Sequence, residues 1–227
     1  MITLYEFDSS AYCAKVRKIL EYKGLPFERV EIDYLARTEP RALSGQPLVP
    51  VIKDGDRVVA DSTAIALDLE ERYPTPALLP AGAARIHALL LEDWSDTHLE
   101  KVAAPVHLLG PGNTDAIART AIARRPPAPL VRPFARLGGP LLRAQSAWHH
   151  RGRTYGQHLA AFDAELDRLE ALFAVSPFAL GEQPTLPDFA FFGVLAVLEG
   201  LSGFERVEAR PSLARWYGRV KALASPG

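Results

Sequence analysis

The sequence predicts two domains of different class: a small α/β domain on a mixed four-stranded sheet, followed by an all-α domain. Three observations predict this. Strand and helix patterns follow one another as β-α-β-α-β-β-α over about the first 75 residues, a stretch punctuated by Pro and Gly comes next, and strand signals then fade. A chain of 227 residues is long enough for two compact domains.

The elements read in order. Residues 2–7 alternate as a strand, and Asp8-Ser9-Ser10 supplies N-cap residues for a helix over 11–23. Val16, Ile19 and Leu20 give that helix its apolar face, and Gly24 is placed to stop it. Residues 27–32 alternate again, and 38–44 suit a short helix. Val49-Pro50-Val51-Ile52 reads as a short apolar strand. Asp54-Gly55-Asp56 is a hairpin turn, and residues 57–60 return antiparallel. Asp61-Ser62-Thr63 caps a helix carrying Ile65, Leu67, Leu69 and Tyr73, which Pro74 and Pro76 end. The first crossover of about 20 residues is long enough for a parallel βαβ unit. A mixed sheet with helices on both faces is the thioredoxin-like arrangement.

Residues 76–84 read as a linker, so the first domain is placed at 1–75 and the second at 85–227. Helical patterns cover 85–109, 155–175, 186–200 and 212–224, and the third is almost wholly apolar. Residues 111–154 stand apart as a basic, Pro-rich insert. A helix fits 114–124; the rest, with Pro126, Pro127, Pro129, Pro133, Pro140 and Gly138-Gly139, is expected to be irregular. Residues 111–155 hold eight Arg and one acid, Asp115, in a chain of net charge −1. A solvated Arg-rich loop is the reading preferred there.

Composition excludes several classes. With 48% apolar and 23% charged residues the chain is globular rather than disordered. A net charge near zero and sparse aromatics in the basic stretch argue against nucleic acid as partner. No apolar run reaches about 18 residues, so no integral membrane association is expected. The N-terminal stretch lacks the pattern of a signal peptide, and the single cysteine, Cys13, permits no intrachain disulfide. Cytoplasm is the expected compartment. The six His lack zinc spacing, so no metal is expected.

The chemistry is expected at the first strand-to-helix turn, Ser10-Ala11-Tyr12-Cys13. Free N–H groups and the dipole at a helix N-terminus favour an anion, a thiolate included. A Ser hydroxyl there either donates to a ligand thiolate or serves only as an N-cap. Pro50 opening a strand removes a ladder donor, and the Val49–Pro50 bond is either trans at a strand start or cis. In the cis case the backbone of Val49 is expected to face a peptide-like ligand, as an added strand would. Asp61-Ser62 suits an amino-acid head group, with carboxylate for ammonium and hydroxyl for carboxylate, or again simple capping.

These pieces, in this order, resemble the N-terminal domain of cytosolic glutathione transferases. The likeness runs through residues 10–17, 23–28, 44–52 and 61–65, and looks closest to the serine/cysteine-type branch. In the second domain, Thr185-Leu186-Pro187-Asp188 resembles the family's buried capping box, a folding element. Residues 210–216 resemble its last helix start. The resemblance implies the glutathione transferase fold, glutathione as co-substrate, a homodimer, and attack of the glutathione thiolate on a small, mostly apolar electrophile. It implies that Ser10 hydrogen-bonds the sulfur, that Val49 pairs with the cysteinyl backbone beside cis-Pro50, and that Asp61 and Ser62 hold the γ-glutamyl end. Gln46 is a candidate for the glycyl end. Cys13 and Tyr5 are lesser candidates for the thiol, and Trp94 and Leu90 are candidates for either the electrophile pocket or the core. Two departures stand out: Ala11 replaces the Pro of many relatives, and Ser10 in place of Cys excludes a dithiol cycle. The alternatives carried are a non-catalytic carrier of the same fold and a glutathione-dependent thiol oxidoreductase using Cys13.

Overall fold

The computed structural model describes residues 1–33, 36–124 and 138–224. Four strands, β1 (Ile2–Glu6), β2 (Phe27–Glu31), β3 (Val51–Asp54) and β4 (Arg57–Ala60), form one sheet in the order β2-β1-β3-β4. β1 runs parallel to β2 and antiparallel to β3, and β3 pairs antiparallel with β4. Helices α1 (Ala11–Tyr22) and α2 (Thr38–Ser44) connect β1 to β2 and β2 to β3, and α3 (Ser62–Arg72) follows β4. Gly55, at φ 62°, makes the two-residue β3–β4 turn, a conformation that costs glycine little. β3 begins at Val51 rather than Val49, since Pro50 has no N–H to give to the ladder.

Everything described after residue 82 is helical or connecting. The expected helix over 85–109 is one path in three parts: α4 (Ala83–Trp94), a π-helical turn at Ser95–Leu99 and α5 (Glu100–Leu109). Then come α6 (Asn113–Arg124), α7 (Gly138–His149), α8 (Tyr155–Val175), α9 (Leu186–Ala196), α10 (Glu205–Glu208) and α11 (Pro211–Ala222). Two expectations are corrected. The insert is not irregular over 138–149, where α7 forms; Pro140 sits in its first turn, where a missing N–H is no loss. The apolar helix ends at Ala196, because the chain then turns through Gly200 (φ 76°) and Gly203 (φ 108°). Pro126, Pro127, Pro129 and Pro133 lie outside the described residues. No described helix is long and apolar enough to cross a membrane.

One apolar core runs through both halves. Ile2, Leu4 and Ile52 of the sheet, Val16, Ile19, Ile65 and Leu69 of α1 and α3, and Phe162, Phe189, Leu195 and Trp216 of the second half belong to one cluster. Each such side chain buried contributes about 1.5–3 kcal/mol. α9 lies close against α1: a Cβ at Gly193 would stand 2.5 Å from the Ala11 carbonyl and 2.9 Å from the Lys15 nitrogen. Only glycine fits there, and the second half is thereby pressed against the helix that starts at Ser10. The stretch after α3 is tied down by Lys23, whose Nζ donates to the carbonyls of Tyr73 (2.6 Å) and Pro76 (2.8 Å). Asp188, fully buried, accepts from Thr185 N–H and Oγ1, Ala179 N–H and Trp216 Nε1 at 2.8–3.0 Å. The capping box thus binds α9 to α11.

Candidate active site

The register brings the predicted residues to one end of the sheet. Tyr5 of β1 pairs with Val51, so the chain leaving β1 toward Ser10 passes the start of β3, where Val49–Pro50 lies. Val51 also pairs with Ala60, which places Asp61 beside them. The Asp61 N–H donates to the Pro50 carbonyl at 3.3 Å, closing the group. The Val49–Pro50 bond is cis. Neither the N–H nor the C=O of Val49 is bonded to another described residue. A backbone donor and acceptor are therefore free at the rim.

Ser10 is the N-cap of α1, with extended φ −98° and ψ 123°. Its Oγ accepts from the Cys13 N–H at 3.3 Å, and its own N–H donates to Phe7 at 3.1 Å. The hydroxyl proton remains available to an incoming anion, and Ser10 is part-exposed. The turn before it is braced by charge. Glu6, fully buried, accepts from Arg17 and Arg29. Asp8 pairs with Arg29 (2.8 Å), Arg124 (3.1 Å) and Arg17 (3.3 Å).

Asp61 is exposed and holds φ at 80°, a backbone that costs a non-glycine residue about 1–3 kcal/mol and clusters at ligand sites. One carboxylate oxygen caps α3, accepting from Thr63 and Ala64 N–H at 3.0 Å each. Ser62 differs from expectation in its degree of burial: it is 3% exposed, and its Oγ accepts from Lys15 Nζ at 3.4 Å. Gln46 is part-exposed between α2 and Pro50, with no side-chain bond among the described residues.

Cys13 and Tyr5 are not brought to the site. Cys13 is fully buried, and burial pushes its thiol up to about 12. Tyr5 alternates with the buried Leu4 and so faces away from the side covered by α1. Trp94 is partly buried, packs edge-on against Phe191 at 5.7 Å and stacks on His98 at 5.6 Å, and Leu90 is exposed on the surface of α4.

Two groups escaped the sequence reading. Lys15, 1% exposed on α1, sends its Nζ to Glu92 and to Asp96 (3.0 Å), with Thr63 Oγ1 at 3.4 Å. Both acids flank the start of the π-helical turn, an insertion that recurs at functional sites. Burial raises the Asp96 carboxyl above the usual range. Tyr12, one residue from Lys15's turn, donates its hydroxyl to the Asp96 carbonyl at 3.2 Å. The second is His107 on α5, buried at 7% exposure. A lysine on the apolar stripe of α1 was the visible signal for the first group.

Residues 4–77 match the model of the glutathione S-transferase N-terminal domain, and residues 117–219 match that of the C-terminal domain. A maleylpyruvate isomerase from Ralstonia sp. is 40% identical over 103 residues, covering 42% of this chain and 48% of that protein. The matched stretch is thus about half the length of that relative. A tetrachloro-p-hydroquinone reductive dehalogenase from Sphingobium chlorophenolicum is 27% identical over 241 residues, covering 99% of this chain and 93% of that protein. In three dimensions, a glutathione S-transferase from Rhodospirillum rubrum F11 superposes with a TM-score of 0.71 at 24% identity, over 98% of this chain and 88% of that one.

Proposed function

Because this chain belongs to the glutathione S-transferase family, we propose that it binds glutathione at the Ser10 end of the sheet and directs the glutathione thiolate at a small electrophile. The observation that carries the reading is convergence. Ser10 at a helix N-terminus, the open backbone of Val49 before cis-Pro50, and the strained, exposed Asp61 meet at one sheet end. These match the three parts of glutathione: a thiol, a peptide backbone and an amino-acid end. Val49 pairs with the cysteinyl residue as a short added strand. Asp61 takes the γ-glutamyl ammonium on its uncapped oxygen. Ser62 acts chiefly through its backbone, since its hydroxyl is turned to Lys15. Gln46 reaches the glycyl end. Ser10 donates to the sulfur, and with the helix terminus favours thiolate over thiol.

Among the relatives, an isomerase and a reductive dehalogenase by name support glutathione-dependent chemistry on a small molecule. A homodimer in the cytoplasm, with a role in detoxification, belongs to the same proposal. The oxidoreductase alternative using Cys13 loses its support, because that thiol is sealed in the core. Steady-state turnover of an activated aryl halide tests the proposal. Ser10→Ala is expected to lower kcat by about 10²-fold or more while leaving the KM for glutathione within a few-fold. Equal turnover in both proteins would remove Ser10 from the chemistry.

A further inference from the structure

Helix α7 is amphipathic the wrong way round. Its inner face, turned to α5 and α6, is built of small residues: Gly139 and Ser146 are buried, and Leu142 between them is only half-buried. A Cβ at Gly139 would stand 3.2 Å from the Asp115 Cα, so the helix lies close on α6 by that side. Ser146 satisfies its own hydroxyl, which donates to the Leu142 carbonyl at 2.7 Å. The large apolar side chains point the other way. Leu141 is 66% exposed and Trp148 67%. Ala144 is exposed between them, and the spacing i, i+3, i+7 puts all three on one helix face. Pro140 and Ala147 are exposed beside them. Single exposed apolar residues are ordinary on a protein surface, but a stripe two turns long that ends in Trp marks a contact surface.

The rim of the stripe carries one sign of charge. Arg143, Arg151 and Arg153 are exposed, and none of them meets a carboxylate among the described residues. Residues 138–155 contain no Asp or Glu. The Asp115 carboxylate lies on the inner side, against Gly139. Arg151 stacks on the Trp148 ring, its Cζ 3.9 Å from the centroid, so charge and apolar surface are held side by side.

This charge decides the occupant. A second copy of the face would set arginines against arginines, which like-charge repulsion opposes. A negatively charged surface satisfies the arginines and covers the stripe at once. A 12-residue helix with Trp and Leu outward and Arg at its edges has the make-up of a segment that lies in a lipid interface, where Trp settles at headgroup level.

We infer that α7 docks the protein on an anionic lipid surface, with Leu141, Ala144 and Trp148 at the acyl boundary and Arg143, Arg151 and Arg153 among the headgroups. The helix lies on the membrane and does not span it. The inference is independent of the chemistry at Ser10.

The test is cosedimentation of the full chain with vesicles of phosphatidylcholine alone and of phosphatidylcholine mixed with phosphatidylserine. The wild type is expected to bind the mixed vesicles about tenfold or more tightly than the neutral ones, and to be released by about 0.5 M salt. Of the three tryptophans, Trp216 is buried and Trp94 partly so, and a blue shift of emission on the vesicles therefore reports Trp148. Arg151→Gln with Arg153→Gln should weaken binding about fivefold for each charge removed. Leu141→Ser with Trp148→Ser should weaken it about tenfold or more, with the helical content kept, since both side chains are exposed. The comparison of the two lipids needs no variant to fold. No binding to the mixed vesicles at millimolar lipid overturns the inference. So does equal binding to neutral vesicles, or equal binding by the Leu141→Ser, Trp148→Ser protein. Binding of polyglutamate in place of vesicles overturns it too and assigns the face to an acidic protein.

Discussion

Lys15 on α1 and Glu92 on α4 form an ion pair sealed from solvent, their side chains 1% and 4% exposed. Asp96 joins it at 3.0 Å, and Ser62 and Thr63 complete the shell, so one lysine ties α1, the start of α3 and the end of α4 together. Removing the lysine alone leaves a carboxylate buried without its partner. Lys15→Met is expected to cost about 3–5 kcal/mol in urea unfolding, and Lys15→Met with Glu92→Leu to recover most of that. A loss below about 1 kcal/mol for the single change would contradict a buried pair.

Cys13 sits one turn into the same helix with its thiol in the core. Native protein is expected to resist a thiol reagent that labels the urea-unfolded chain fully. The raised thiol has a pH consequence. Unfolded cysteine ionises from about 9 upward, whereas the folded thiol holds its proton to about 12. The stability it confers is complete below 9 and is lost as pH rises toward 12. Cys13→Ala should flatten that part of the unfolding profile. Rapid labelling of the native protein would show that the thiol is reachable after all.

His107 gives the opposite sign. Its folded value is pushed from 6.5 down to about 4, so the unfolded chain takes the proton first as pH falls. The stability it confers is present above 6.5 and is lost between there and about 4, a total of about 3 kcal/mol for a shift of this size. His107→Phe should remove that part of the acid slope. An unchanged slope would mean that His107 titrates freely.

An exposed apolar flank supports the proposed dimer. Ile86 and Leu90, one turn apart on α4, are 57% and 62% exposed, and Leu67 on α3 is 37% exposed. Ile86→Glu with Leu90→Glu is expected to convert a dimer to a monomer in sedimentation velocity, with the helical content kept. A wild-type monomer at micromolar concentration would end the dimer proposal.

The parts of this molecule that could be read from its sequence are the local ones. The parallel first pair of strands and the antiparallel last pair followed from alternation, a long crossover and the Asp54-Gly55 turn, each a matter of a few neighbouring residues, whereas the order β2-β1-β3-β4 emerged only in the fold. Ser10, Pro50 and Asp61 were marked by residue type at element boundaries, which is why they stood out without a structure. Lys15 could be seen as a lysine among apolar positions, but its partners lie 77 and 81 residues away, beyond any local pattern. His107 was passed over because nothing near it in sequence foretells its burial; it lines a cavity shared with α6 and the turn after α9. Gly138-Gly139-Pro140 read as a breaker, yet a proline in the first turn of a helix breaks nothing. Ser62 was placed correctly on α3, but its burial depended on Lys15 and so could not be foreseen.

The central claim is that Ser10 stabilises the glutathione thiolate. Its most direct test is titration of glutathione by calorimetry in two buffers of different ionisation enthalpy, on wild type and Ser10→Ala. Binding by the wild type with proton release at neutral pH, and binding by Ser10→Ala without it, is the predicted result. Proton release that is equal in both proteins, or no binding at millimolar glutathione, would contradict it.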